Sequence, residues 1–159
     1  MVTRIITALA ALLSLLSLAS SCSDDKDIDT ELPEIAAGAD SSPLNCDIFR
    51  RGDIIHLDYV FTDNAELGDY NIEIHNNFDH HTHSTEAGDC ELDPIKDPMT
   101  PWIYNKDFEI PAGSKRFEAK QDFKIPENID CGDYHFMIRV TDAAGWQQIK
   151  SVSIKIIDE

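Results

Sequence analysis

Positive charge is scarce in this sequence beside its negative charge. Its 159 residues carry 13 Lys and Arg against 30 Asp and Glu, a formal charge of −17 at pH 7. A surface of that sign repels phosphate backbones, which excludes nucleic acid as a partner and favours cations instead. Most of the carboxylates are accounted for by solubility alone. The signatures of common catalytic chemistries are also missing: no glycine-rich phosphate loop, HExxH pair or Gly-x-Ser-x-Gly elbow is present. No enzyme is expected. After residue 22 no stretch keeps a helical period, so the fold has to be built from strands.

The one long apolar run opens the chain. After Arg4 it extends from Ile5 to Leu18 and ends in Ala19-Ser20-Ser21 before Cys22. This is the pattern of a secretory signal rather than of a membrane-spanning helix, which needs roughly 20 apolar residues and different flanks. Leu18-Ala19-Ser20-Ser21-Cys22 resembles a relaxed bacterial lipobox, with Ala19 in place of leucine three before the cysteine. The resemblance implies that residues 1–21 are a lipoprotein signal peptide and that Cys22 becomes a lipidated N-terminus holding the protein to a membrane. Ser23-Asp24-Asp25-Lys26-Asp27 is similar to the acidic export signal of surface lipoproteins of Bacteroidota. It implies an outer-membrane location, exposed at the cell surface. Residues 1–21 hold one arginine and no acid, so the mature chain keeps 12 basic against 30 acidic side chains, a formal −18. Residues 22–31 read as an acidic tether too poor in apolar groups to order itself, and residues 32–159 as one domain.

In that domain the apolar pattern has period two. Ile55, Leu57, Tyr59 and Phe61 share one face of a strand, and Tyr70, Ile72 and Ile74 share one face of the next. Phe108 and Ile110 mark a short strand, and Phe117, Ala119, Phe123 and Ile125 a longer one. Tyr134, Phe136, Ile138 and Val140 mark another, and Val152, Ile154 and Ile156 the last. With a first strand near Leu32 to Ala37, these are strands A to G of an all-β, immunoglobulin-like antiparallel sandwich with a long C–D connection. Cys131-Gly132-Asp133-Tyr134 enters strand F as a tyrosine corner would, and Trp146 opens the final strand after a tight turn.

Several of these segments together resemble the domain of unknown function 4625 family, immunoglobulin-like lipoproteins of Bacteroidota. They are Arg51-Gly52-Asp53, Thr62-Asp63-Asn64, His75 to Ser84, Leu92-Asp93-Pro94, and Gly132-Asp133-Tyr134-His135-Phe136 through Thr141-Asp142 to Gly145-Trp146. The resemblance spans nearly all of the mature domain. It implies fold and location, and carries no activity with it.

Function therefore has to come from the residues. Four of the six histidines fall in His75-Asn76-Asn77-Phe78-Asp79-His80-His81-Thr82-His83. Strands C and F are antiparallel neighbours in such a sandwich, and the alternation turns His75 and His135 outward on one sheet face. The connection that follows His75 runs about 30 residues to the next strand, far more than a hairpin uses. Within it His81 and His83 share a side of an extended chain while His80 faces opposite. Converging imidazoles beside a carboxylate in a negative field suit a transition ion such as zinc or copper. The expected ligands are His75, His135 and one or more of His80, His81 and His83, with Asp79 as ligand or orienter. A solvated polar loop and a pH sensor are the competing readings. His56, on the other sheet, is expected to play no part.

Cys46, Cys90 and Cys131 all fall at the same end of the assumed topology. An exported domain sits in an oxidising compartment, where one disulfide and one spare thiol are expected. Spacing does not choose the pair. Cys46–Cys90 is the expected one because it would pin the long connection to the scaffold, leaving Cys131 spare, with thiolate ligation as the lesser alternative for it. Asp63, Asn64 and Asp142 lie at the opposite end, where Asx turns compete with oxygen ligation of Ca²⁺. Two functions emerge: a surface-anchored module that captures or transfers a transition ion, beside an outer-membrane transporter or other surface protein, and an adhesion or ligand-binding display module for protein or glycan without metal.

Overall fold

The computed structural model describes residues 28–36, 41–83 and 90–158; the signal peptide, Cys22 and most of the tether lie outside the described residues. Among the described residues eight strands follow one another: β1 (Glu34–Ala36), β2 (Asp47–Arg50), β3 (Ile54–Thr62), β4 (Leu67–Asn76), β5 (Tyr104–Glu109), β6 (Arg116–Lys124), β7 (Gly132–Asp142) and β8 (Gln147–Ile157). They form a β-sandwich of a three-stranded sheet, β1-β3-β6, and a five-stranded sheet, β2-β8-β7-β4-β5. Among the described residues no helix is long and apolar enough to cross a membrane.

The period-two pattern closes the core as expected. Ile55, Leu57, Tyr59 and Phe61 of β3 are buried, as are Tyr70, Ile72 and Ile74 of β4 and Tyr134, Phe136, Ile138 and Val140 of β7. Each such side chain contributes about 1.5–3 kcal/mol relative to an exposed position, and a one-residue slip of any strand would turn its whole set to water. The register of the central pair is therefore tightly held. It places Ile74 opposite Phe136 and His75 opposite His135.

Two features differ from expectation. The strand around Phe108, expected as D, is β5, and it pairs with β4 from Asp69↔Glu109 to Ile74↔Tyr104. It occupies the C′ position on the edge of the five-stranded sheet. Aromatic packing accounts for this: Tyr70 and Phe108 are register partners, and their rings stack with centroids 4.9 Å apart at 11°. The long connection therefore runs from C to C′, leaving and rejoining one sheet. The second difference is β2, a four-residue strand parallel to β8. Its apolar Ile48 is exposed, so no alternation announces it.

Cys46 and Cys90 are disulfide-bonded across 44 residues and Cys131 is free. Closing a loop of that length removes enough unfolded-state entropy to stabilise the fold by about 4 kcal/mol. The loop encloses β2, β3, β4 and the histidine segment, so the bond ties the far side of that segment to the scaffold.

Tyr134 forms the expected corner. Its hydroxyl donates to the Asp130 carbonyl at 2.6 Å and accepts from the Trp102 N–H at 3.3 Å, and burial pushes the phenol pKa up to about 12. Trp102, just ahead of β5, is thereby buried under the long connection. Tyr134→Phe leaves a buried donor and acceptor without partners, and should cost about 1–3 kcal/mol. Urea unfolding should show a lower midpoint at unchanged slope; an unaltered midpoint would remove the corner from the stability account.

Candidate metal centre

The site is built where β4 ends beside the start of β7. Ile72 and Ile74 point into the core, so Glu73 and His75 take the other face, and His135 stands there between inward Tyr134 and Phe136. Direct antiparallel partners bring Cβ atoms to about 5 Å, and the His75 and His135 rings lie 5.5 Å apart. That face is not open to water: His135 is 0% exposed. The chain after β4 folds back over it.

Phe78 makes that return possible. It packs edge-on against Tyr134 at 5.3 Å, and a Cβ at Gly132 would come within 2.9 Å of its ring. Gly132 also has φ +130°, a conformation L side chains rarely adopt, so glycine is required there on both counts. The Asn77 N–H donates to the Asp133 carbonyl at 2.8 Å, and the Lys96 N–H to the Phe78 carbonyl at 3.1 Å. His80 then takes a left-handed φ of +59° and directs its imidazole to the Asp93 carbonyl at 2.9 Å. Asp93 is itself held by Lys155 at 2.7 Å and by its own N–H donating to Asp133 at 2.7 Å. The turn at His80 sends His81 and His83 back over β4 and β7.

Three imidazoles converge as a result. His75 Nε2 lies 3.0 Å from His83 Nε2 and 3.2 Å from His81 Nε2. Carboxylates stand behind two of the rings: Asp79 Oδ1 is 2.5 Å from His81 Nδ1, and Glu73 Oε1 is 3.1 Å from His75 Nδ1, near though not in line for a hydrogen bond. The Asp79 carboxylate only accepts, so it draws the single proton of the neutral His81 ring to Nδ1 and leaves that ring's Nε2 lone pair facing inward. His75 Nε2 lies at hydrogen-bonding distance from that lone pair, 3.2 Å, an arrangement in which a shared cation can take the place of the proton.

The dimensions agree with that reading. Zinc–nitrogen bonds of about 2.0–2.1 Å in a tetrahedral shell put neighbouring nitrogens about 3.3 Å apart. Among the described residues, His75, His81 and His83 offer ligand atoms within 4.8 Å of one another, so this triad could hold a metal ion.

His135 lies against all three rings, at 5.0–5.5 Å between centroids, but is not one of that group. Its Nε2–H donates to the His81 carbonyl at 3.1 Å, which fixes the backbone carrying His81. Its Nδ1 is buried without a hydrogen-bond partner. Burial, with a smaller contribution from the surrounding imidazoles and against the hydrogen bond to His81, brings its pKa down to about 4; burial also lowers that of His75. Neutral rings are the form a metal takes.

Of the expected residues, the structure brings together His75, His81 and His83, with His135 beneath them and Asp79 behind His81, whose hydrogen bond holds the carboxyl below its usual range. It places His80 on Asp93, and Cys131 outside the ligand group. His56 is exposed on β3, paired with Asp122 at 2.7 Å. Glu73 and Phe78 carry roles that sequence reasoning did not assign. The signal for Glu73 was its place two before His75 on one strand face; Phe78 had none beyond being the one apolar residue in a polar segment.

The family model for a domain of unknown function (DUF4625) matches residues 20–157. No curated protein matches the chain.

The depressed His135 pKa has a direct consequence. Unfolded, the ring protonates near 6.5; folded, near 4, so the unfolded state binds more protons between these values and stability falls as pH drops through that window. The loss attributable to this ring should reach about 3 kcal/mol near pH 4. Denaturant midpoints between pH 7 and 4 should fall less steeply in His135→Gln than in the parent, and parallel profiles would contradict the assignment.

Proposed function

The chain belongs to the domain of unknown function (DUF4625) family, and we propose that this member is a lipid-anchored surface protein that captures a borderline transition ion, Zn²⁺ or Cu²⁺. The carrying observation is the approach of three imidazole nitrogens at 3.0 and 3.2 Å with carboxylates behind two of the rings. Nitrogen donors select this class of ion over calcium and magnesium. Three protein ligands leave a fourth position open, as suits a site that passes its ion on rather than keeping it for structure. The acidic surface raises the local concentration of cations. A lipidated Cys22 would place the site where ions arrive from outside, and an outer-membrane transporter is the partner that would receive them.

A display module is the second reading, and one observation favours it. Ile95, Met99 and Ile103, all in the long connection, are 67%, 88% and 64% exposed. Large apolar side chains exposed along one connection suit contact with another protein.

Calorimetry on the chelator-stripped protein separates the two. Zinc or copper should bind the parent at one equivalent, and His75→Ala, His81→Ala and His83→Ala should each weaken binding tenfold or more, while His56→Ala leaves it unchanged. Fractionation of cells should find Cys22→Ala released from membranes. No binding, or equal affinity in all variants, favours the display module, and membrane retention of Cys22→Ala ends the anchor.

A further inference from the structure

The opposite end of the sandwich carries a second group of ligand atoms with a different chemistry. Asp63 follows β3, Asp142 closes β7, and Asp29 arrives from the N-terminal segment before β1. One ligand oxygen from each lies within 4.8 Å of the others. These three residues are far apart in sequence, and the strand ends bring them together.

Turn formation occupies only half of this carboxylate. Asp63 Oδ1 accepts the Ala65 and Glu66 N–H groups at 2.7 Å each, and Asp142 Oδ1 accepts the Trp146 N–H at 2.8 Å. The second oxygens of Asp63 and Asp142 are both closed to solvent and accept no hydrogen bond from the protein. Asp142 as a whole is 4% exposed, and this residue, which contributes an atom to the cluster, keeps one carboxylate oxygen buried without a hydrogen bond. Among the described residues none of the three is in an ion pair. The neighbouring ammonium, Lys115, is directed to the Asn64 carbonyl at 2.8 Å. Buried carboxylate oxygens gathered without a counter-charge call for a cation.

We propose that Asp29, Asp63 and Asp142 form a calcium site that clamps the N-terminal segment onto the end of the sandwich opposite the histidines. All its ligand atoms are oxygens, which excludes the imidazole-seeking ions of the other end and selects a hard cation. Oxygens held at about 2.3–2.6 Å from one Ca²⁺ can be at most about 5 Å apart, and the three here all lie within 4.8 Å of one another. Irregular turns and a chain segment supply the ligands, and calcium tolerates such geometry where magnesium demands a near-ideal octahedron. The two sites are separated by the run of β7 from His135 to Asp142, about 23 Å at the rise of a strand.

The clamp also orients the molecule. Asp29 lies seven residues beyond Cys22, a span of about 25 Å at full extension. With Cys22 anchored, a fixed Asp29 keeps the calcium end near the membrane and turns the histidine end outward.

Trp146 reports on the site directly, because its indole N–H donates to the Asp29 carbonyl at 2.9 Å. The full-length chain, purified in detergent and freed of metal with chelator, is titrated with Ca²⁺ and separately with Tb³⁺, following tryptophan-sensitised terbium emission. One saturable equivalent with a Kd near about 10⁻⁴ M, the range of extracellular modules, is expected, with terbium emission reversed by calcium. Asp142→Asn and Asp29→Asn, both of which keep the oxygen used in hydrogen bonding, should weaken Ca²⁺ binding tenfold or more, and His75→Ala should not change it. Absence of saturable binding up to about 10 mM Ca²⁺, or equal affinity in the parent and Asp29→Asn, would overturn the proposal. Should Asp142→Asn fail to fold, Asp29→Asn, half-exposed and outside the strands, still decides it. The His75→Ala arm keeps failure of this site distinct from failure of the histidine site.

Discussion

The pairing of β4 with β7 is the constraint on which the histidine end depends. Their register is held by core residues on one face, Ile72 and Ile74 against Phe136 and Ile138, and the other face has no independent choice. His75 must lie opposite His135, and anything that folds over that face meets two imidazoles. The return of residues 77–83 is secured in turn by Phe78 on Tyr134 and Gly132, and by the turn at His80. The arrangement of the imidazoles is thus a by-product of core packing, with the converging nitrogens about one side-chain length from the residues that fix them. Such support from rigid strands is what allows a binding site to keep its shape before a ligand arrives.

Much of this was legible in the sequence because it follows from alternation. Period two fixed which residues of β3, β4, β7 and β8 face inward, and so placed His75 and His135 on one outer face without any distance information. The i, i+2 spacing also separated His81 and His83 from His80, as the structure has them. What alternation could not supply is how a long connection folds. The burial of His135, the closure by Phe78 and the exclusion of His135 from the ligand group all depend on contacts between residues distant in sequence. β5 illustrates the same limit: its pattern announced a strand, but only the stack of Phe108 on Tyr70 determined which sheet it joined. β2 was invisible because a short edge strand with an exposed isoleucine carries no pattern.

The carboxylates show how one residue type divides its work by position. Glu73 and Asp79 stand behind imidazoles, and Asp79 sets which nitrogen of His81 faces inward, so its charge acts through a ring. Asp93 and Asp133 pair with Lys155 and hold the turn that carries His80. Asp63 and Asp142 cap turns at the other end. An overall charge of −17 therefore conceals separate local tasks, and only the first belongs to the histidine site.

The central claim is that His75, His81 and His83 bind one transition ion through nitrogen. X-ray absorption at the zinc edge of the zinc-loaded protein tests it most directly. The account predicts a first shell of nitrogen and oxygen at about 2.0–2.1 Å with the outer-shell scattering of three imidazoles, and loss of about one imidazole contribution in His83→Ala. A sulfur neighbour at about 2.3 Å, which would bring in Cys131, or a shell of oxygens without imidazole scattering, would contradict it.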